Sequence, residues 1–286
     1  MPDNIAEQLK KASEILRKSG VAEPRREAVS LLAFALQKDK TFLVAHPEYA
    51  LSGEEETRFV NFLNRRARRE PFQYITENQE FYGLDFLVTP DVLIPRPETE
   101  AIVENAVEIL RSKDSPKFCE VGIGSGCISV SILHTIEASQ AIGLDISEKA
   151  LQIAGRNAER HEVSDRLKLS ISDIFANLVG EKFDLIISNP PYISSEDFKS
   201  LQMEVRDFEP HFALTDDENG LTIIEKIIKN TPKFLKPDSF LLLEIGLGQA
   251  SDVRAMFSPQ IWQSVEILPD LQGIPRTIKA KYCSKK

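Results

Sequence analysis

Lys117-Phe118-Cys119-Glu120-Val121-Gly122-Ile123-Gly124-Ser125-Gly126-Cys127-Ile128-Ser129-Val130 is the stretch on which the fold turns. Lys117 to Val121 reads as a strand, three glycines follow at alternate positions, and a helical pattern starts at Cys127. Glycines in such a turn let the backbone pass close to a ligand and expose amides at a helix N-terminus. The spacing is GxGxG, not the GxGxxG that favours a pyrophosphate. Downstream, apolar strands at 117–121, 140–145, 167–171, 183–188, 239–245, 262–268 and 275–282 alternate with helices near 126–136, 147–160, 197–206, 219–235 and 248–257. This alternation predicts an α/β domain, a parallel sheet covered by helices on both faces. The last two strands follow each other without a helix, so one of them is expected to run antiparallel at an edge.

Upstream the pattern differs. Residues 4–70 read as helices, with Pro24 opening a second one and Ser52 capping another that carries Phe59, Phe62 and Leu63. The aromatic, Gly-punctuated run from Glu80 to Val88 reads as a hairpin. It leads to Ile94-Pro95-Arg96-Pro97-Glu98-Thr99-Glu100, where Glu98 or Thr99 can start a helix carrying Ile102, Val103, Ala106, Val107 and Leu110. At 286 residues, two domains are the default.

Composition limits the function. The net charge of −9 argues against broad contact with a phosphate backbone. The charge is uneven: residues 1–78 carry 13 Lys and Arg against 12 Asp and Glu, and the remainder 22 against 32. The run Arg65, Arg66, Arg68 and Arg69 is locally basic, either a solvated helix face or a docking patch for an acidic partner or RNA. Cys119, Cys127 and Cys283 and the four histidines lack metal-ligand spacing, so no metal is expected. Asp3 and Glu7 stand where a signal peptide would be basic, and no stretch is long and apolar enough to span a bilayer. A cytoplasmic protein without membrane contact is expected.

Acidic and planar residues fall at the carboxyl ends of successive strands. Asp145 ends the strand after the glycine loop, where a carboxylate can bind a ribose diol. Asp173 and Ile174 follow the next strand and can flank an adenine. With Glu120, Gly122, Ile123, Gly124, Ser125 and Gly126, they fit a nucleoside cofactor without a diphosphate, which describes S-adenosylmethionine. Asn189-Pro190-Pro191-Tyr192 follows the fourth strand. Two prolines stiffen this turn and leave carbonyls free to accept. The Asn189 side-chain oxygen and the Pro190 carbonyl can hold both N–H groups of a primary amide, and Tyr192 offers a stacking face. Aiming a poorly nucleophilic amide nitrogen at a sulfonium methyl is then mostly a matter of geometry. Asn189, Pro190 and Tyr192 are the candidate catalytic residues. Asn189 also borders the cofactor, and Pro191 and Arg96 join the substrate side.

These residues resemble the HemK/PrmC family of peptide-chain-release-factor glutamine N5-methyltransferases. The narrower matches are Ile94–Glu100, Phe81-Tyr82-Gly83 before Phe86-Leu87-Val88, Pro24–Ala28 with the Arg65–Arg69 run, and Asp270–Arg276. The resemblance covers nearly the whole chain. It implies a helical substrate-docking domain over 1–72, a β-hairpin linker over 73–95, and a class I (Rossmann-like, seven-stranded) S-adenosylmethionine methyltransferase domain over 96–286. It implies as substrate the glutamine of the GGQ loop in class I release factors, with no direct nucleic-acid substrate and a monomeric enzyme. Glu120 replaces the family's usual Asp and Ile123 a common Thr. The alternatives are a glutamine methyltransferase of a large-subunit ribosomal protein and a DNA or RNA amino-methyltransferase. The second would need a basic groove or an added recognition domain.

Overall fold

The computed structural model describes residues 4–270 and 272–283. Leu271, inside the Asp270–Arg276 motif, and Asp3 lie outside the described residues, as do the outermost ends of the expected domains. Two compact units emerge: one reaches to Glu77 and includes Gln202–Phe208, and the other comprises Asn78–Leu201 and the chain from Glu209 onward. Among the described residues no helix is long and apolar enough to cross a membrane.

The first unit is helical. Asn4 with Glu7 and Ser52 with Glu55 form reciprocal capping boxes that start helices Ile5–Lys18 and Gly53–Ala67, and Pro24 opens Pro24–Leu36. Ile5, Leu16, Leu31, Leu32 and Phe59 make its core. Phe72–Thr76 forms a further short helix. The arginine run is neither a solvated face nor an open basic patch. Arg65 grips Glu70 at 2.6 Å; Arg66 is buried against Glu27 and Glu204; Arg69 reaches Glu204 at 2.6 Å. Only Arg68 of the four is exposed.

Among the described residues the second unit holds nine strands: β1 (Asn78–Phe81), β2 (Leu84–Leu87), β3 (Lys117–Val121), β4 (Gln140–Asp145), β5 (Leu167–Ile171), β6 (Phe183–Ser188), β7 (Leu235–Glu244), β8 (Trp262–Pro269) and β9 (Pro275–Tyr282). β1 and β2 form a hairpin whose turn residues Tyr82 and Gly83 both have positive φ, the twist that closes a two-residue loop. The other seven form one sheet in the order β5-β4-β3-β6-β7-β9-β8. Side chains alternate across it. Phe118, Leu185 and Ile187 face helices Glu100–Arg111, Cys127–Thr135 and Glu148–Arg160 on one side. Cys119, Val121 and Ile186 face helices Thr222–Asn230 and Ala250–Ala255 on the other.

Three expectations are corrected. The antiparallel strand is β9, which lies inside the sheet between β7 and β8, while the edge strand β8 runs parallel to the rest. The crossover through Ala250–Ala255 returns the chain in the parallel sense, and the tight turn held by Asp270 then reverses it into the remaining gap. The helix expected over 197–206 is split into Ser195–Phe198 and Met203–Phe208, because the second piece packs with the helical unit. The helix expected over 219–235 is confined to Thr222–Asn230, since Pro232 cannot continue it and β7 starts at Leu235.

Buried Asn157 links the hairpin to the glycine loop. Its Oδ1 accepts from Leu87 N at 2.8 Å, and its Nδ2 donates to Leu87 O at 3.0 Å and Ser125 O at 2.8 Å. Asn157→Ala is expected to destabilise this unit by about 2–3 kcal/mol. Urea unfolding followed through Trp262, the single tryptophan, checks this; an unchanged midpoint contradicts it.

Candidate active site

β3, β4 and β6 are parallel and in register, so Val121 lies opposite Leu144 on one side and Ser188 on the other. The loops leaving these strands therefore share one space. Gly122 N and Ile123 N both donate to Leu144 O, at 2.8 and 2.9 Å, and Gly124 N donates to Asp145 Oδ2 at 2.9 Å. The glycine loop is thus clasped against the tip of β4. Ile123 turns inward, 2% exposed, and packs over Gly143, where an added Cβ would come within 2.2 Å of Ile123 Cδ1. Gly126 begins helix Cys127–Thr135 close against Ala154.

Two carboxyls stand at this edge. Glu120 is 1% exposed and accepts from Ser129 N at 2.9 Å and from Ser129 Oγ. Burial pushes its pKa up to about 8 against these bonds, with nearby Asp145 adding to the rise. Asp145 is also raised by burial, opposed by bonds from Ser147 N and Gly124 N. Past β5, Ser172 N donates to Asp145 O at 2.8 Å. Ile174 then sits at φ 53, a left-handed conformation rare for a β-branched residue. Such strain gathers at functional sites.

Asn189-Pro190-Pro191-Tyr192 leaves β6 directly. Asn189 Nδ2 donates to Thr99 Oγ1 at 3.3 Å. Pro190 is buried, and among the described residues no donor reaches its carbonyl. Tyr192 is half-buried, with its hydroxyl donating to Glu244 Oε1 at 3.3 Å and its carbonyl accepting from Gln249 Nε2 at 2.8 Å. Gly220 closes over this turn: its φ is +77°, and a Cβ there would lie 2.2 Å from Tyr192 O.

These loops enclose a cavity of about 310 Å³, within the size range of small-molecule sites. It is lined by Glu120, Gly122, Ile123, Gly124, Ser125, Asp145, Asp173, Ile174, Asn189, Pro191 and Arg96. Gly126, Pro190 and Tyr192 are not among its lining residues. Arg96 is paired with buried Glu209 at 2.5 Å, so its guanidinium is already neutralised. Sequence reasoning missed Thr99, Glu209, Glu244 and Gln249, which touch the turn or its neighbours from distant positions. It also missed the wall formed by Phe212, Ala213, Thr215, Asp216 and Asp217. Only the Thr99 in Pro97-Glu98-Thr99-Glu100 carried a local signal, and it read as a helix start. Among the described residues no group of three or more His, Cys, Asp or Glu could hold a metal ion.

The sheet order with its reversed final strand, and a cavity at the carboxyl ends of β3, β4 and β6, are those of the class I methyltransferases. Residues 102–205 match the family model described as methyltransferase small domain. A solved methyltransferase from Pyrococcus furiosus shares the fold, with a TM-score of 0.53 at 18% identity over 78% of this chain and 99% of that one. Residues 7–76 match the model of the PrmC N-terminal domain. The release factor glutamine methyltransferase of Koribacter versatilis is 39% identical over 92% of this chain and 93% of its own. That of Geobacter sulfurreducens is 41% identical over 92% and 91%. The chain belongs to the release factor glutamine methyltransferase family.

The Glu120 carboxyl has a folded pKa above its unfolded value, so it destabilises the fold as pH rises from about 4.5 toward 8. Glu120→Gln keeps an acceptor for Ser129 and removes the ionisation. Its melting temperature is therefore expected to gain on wild type progressively between pH 5 and 8, each pKa unit being worth about 1.4 kcal/mol. A pH-independent difference in calorimetry contradicts this.

Proposed function

We propose that this chain transfers a methyl group from S-adenosylmethionine to the side-chain amide nitrogen of the glutamine in the GGQ loop of class I release factors. The observation that carries the reading is the stiff Asn189–Tyr192 turn, which sets an amide side chain on the cavity wall beside the glycine loop and Asp145. Family membership supports it. The residues present fit the cofactor: Glu120 is a buried carboxyl on the cavity, apt for a cationic amine, and Asp145 is held in place by Gly124 N and Ser147 N, apt for a diol. Ile174 and Asp173 would flank the base.

When bound, S-adenosylmethionine supplies a methyl group on a cationic sulfur. Asn189 Oδ1 and the Pro190 carbonyl accept the two N–H groups of the glutamine amide and stabilise positive charge as it develops on nitrogen. Tyr192 and the two prolines keep that turn rigid, which converts binding into orientation. No side-chain base is needed, because the N-protonated methylamide that results is a strong acid and gives its extra proton to water. The helical unit serves as the substrate-docking domain, the enzyme works as a monomer in the cytoplasm, and nucleic acid is not the acceptor.

Asn189→Ala is expected to lower kcat by about 100-fold or more while cofactor affinity persists. Asp145→Ala is expected to weaken cofactor binding by about 10- to 100-fold first. Calorimetry with cofactor and single-turnover kinetics separate the two, and equal loss of cofactor binding in both would sink the assigned roles. The substrate is tested by labelled S-adenosylmethionine offered to a release factor, to the same factor with GGQ changed to GGA, and to ribosomal RNA or DNA. Label is expected on the intact factor alone; label on nucleic acid or equally on the GGA variant overturns the acceptor.

A further inference from the structure

The Asn189–Tyr192 turn starts from a fixed point, since Ser188 Oγ donates to Val121 O at 2.7 Å inside the sheet. Pro190 and Pro191 fix their own φ and narrow ψ of the residue before each, but a range of about 40° in ψ survives at Asn189 and at Pro190. Rotations of this size move the Pro190 oxygen relative to the Asn189 side chain by about 1 Å. The prolines alone therefore do not set the spacing of the two acceptors. The far end of the turn is pinned by Gln249, which is half-buried and is not among the cavity-lining residues. Its Nε2 donates to Tyr192 O at 2.8 Å and to Gly220 O at 3.4 Å, and its Oε1 accepts from Gly246 N at 2.8 Å. Carbonyls only accept and a backbone N–H only donates, so these partners admit one orientation of the Gln249 amide.

We propose that Gln249 is a positioning residue for methyl transfer: by holding the Tyr192 carbonyl it fixes the Pro190 carbonyl relative to the Asn189 amide, so that both acceptors meet one primary amide at once. The role rests on the reading of Asn189 and Pro190 as acceptors of the glutamine N–H groups. Three loops meet at this side chain: the β6 turn, the loop that leaves β7, and the stretch before helix Thr222–Asn230. Each gives it a firm partner. Gly246 directly follows the end of β7 by two residues. Gly220 is held by Asp216, whose Oδ1 accepts from Gly220 N at 2.8 Å and whose Oδ2 accepts from Thr222 N at 2.9 Å. The Tyr192 carbonyl lies so close to Gly220 that a Cβ there would stand 2.2 Å from it, which leaves the turn no room to move that way. A misplacement of about 1 Å at a reacting group can cost about 100-fold in rate.

Gln249→Glu keeps the volume and an oxygen for Gly246 N, but puts an acceptor in place of the donor to Tyr192 O and Gly220 O. Gln249→Met keeps the length and loses all three bonds. Both are assayed on the intact release factor, with rates counted per cofactor-binding site titrated by calorimetry, so that unfolded protein does not enter. In both variants kcat is expected to fall by about 10- to 100-fold, with KM for the factor and the cofactor dissociation constant within about threefold of wild type. A group that merely caps the β7 loop through Gly246 N would leave Gln249→Glu active, so a Gln249→Glu enzyme with more than half the wild-type kcat overturns the role. So does a loss confined to melting temperature or cofactor affinity, with the rate per site unchanged. Loss in Gln249→Glu with Gln249→Met at the wild-type rate marks repulsion by the new charge, and overturns it too. If wild type leaves the glutamine unmodified, the reading of Asn189 fails and this role with it. An active wild type matched by both variants removes this role alone.

Discussion

Parallel pairing of β3 with both β4 and β6 is the constraint on which the rest of the second unit depends. With Val121 level with Leu144 and Ser188, three strands end at one height, and the chain leaving each must turn within the same small volume. The pairing continues past the regular ladder through Gly122 N and Ile123 N on Leu144 O, and through Ser188 Oγ on Val121 O at 2.7 Å. These bonds leave the loops little freedom, which is the condition for a site whose chemistry is orientation. Shifting one strand by a residue would exchange its two faces and scatter the cluster.

Burying carboxyls at such an edge costs stability. Glu120 and Glu244 lie on different strands, are each less than 4% exposed, and both have pKa values raised by burial toward neutrality. Among the described residues neither forms a close ion pair with a basic side chain, although Arg276 acts on Glu244 from a distance. Glu120 is instead held by the Ser129 hydroxyl and N–H, and Glu244 by the Tyr192 hydroxyl. Structural carboxyls are normally paired or left in water. Asp184 shows that pattern in the same sheet, bonded by Lys236 at 2.6 Å and by Lys117 N, with a lowered pKa. The contrast separates a carboxyl that holds strands together from Glu120, a carboxyl on the cavity wall.

Much of this was legible in the sequence because local chemistry dictates it. The strands at 117–121, 140–145, 167–171 and 183–188 are short apolar runs with no competing pattern, and their bounds match the structure. The glycine loop, Asp145 and Asn189 were legible because each ends or directly follows such a strand. Glu244 and Gln249 were not, since a Glu at the end of an apolar strand and a Gln at a helix start look ordinary until β7 is placed beside β6. The reversed β9 was half legible: the missing helix signals a hairpin, but nothing local says that the second strand inserts between β7 and β8. The arginine run misled for a similar reason. Its counter-charges Glu27 and Glu204 are distant in sequence, so composition alone shows a basic patch where folding leaves a neutralised cluster.

The segment that follows the Asn189–Tyr192 turn ends at cavity-lining residues Phe212 to Asp217, yet its middle, Gln202–Phe208, packs within the helical unit. There Glu204 is gripped by Arg66 at 3.2 Å and by Arg69 at 2.6 Å, and Arg66 also holds Glu27. Removing one partner of such a part-buried set strands the others without compensation, at a cost of about 3 kcal/mol or more. The midpoint of the segment is therefore fixed by charge, and its two halves are short. The cavity-lining stretch Ala213 to Asp217 is held within its own unit: Ile193 N donates to Leu214 O at 3.0 Å, and the Asp216 carboxylate accepts from Glu218 N, Gly220 N and Thr222 N at 3.0, 2.8 and 2.9 Å.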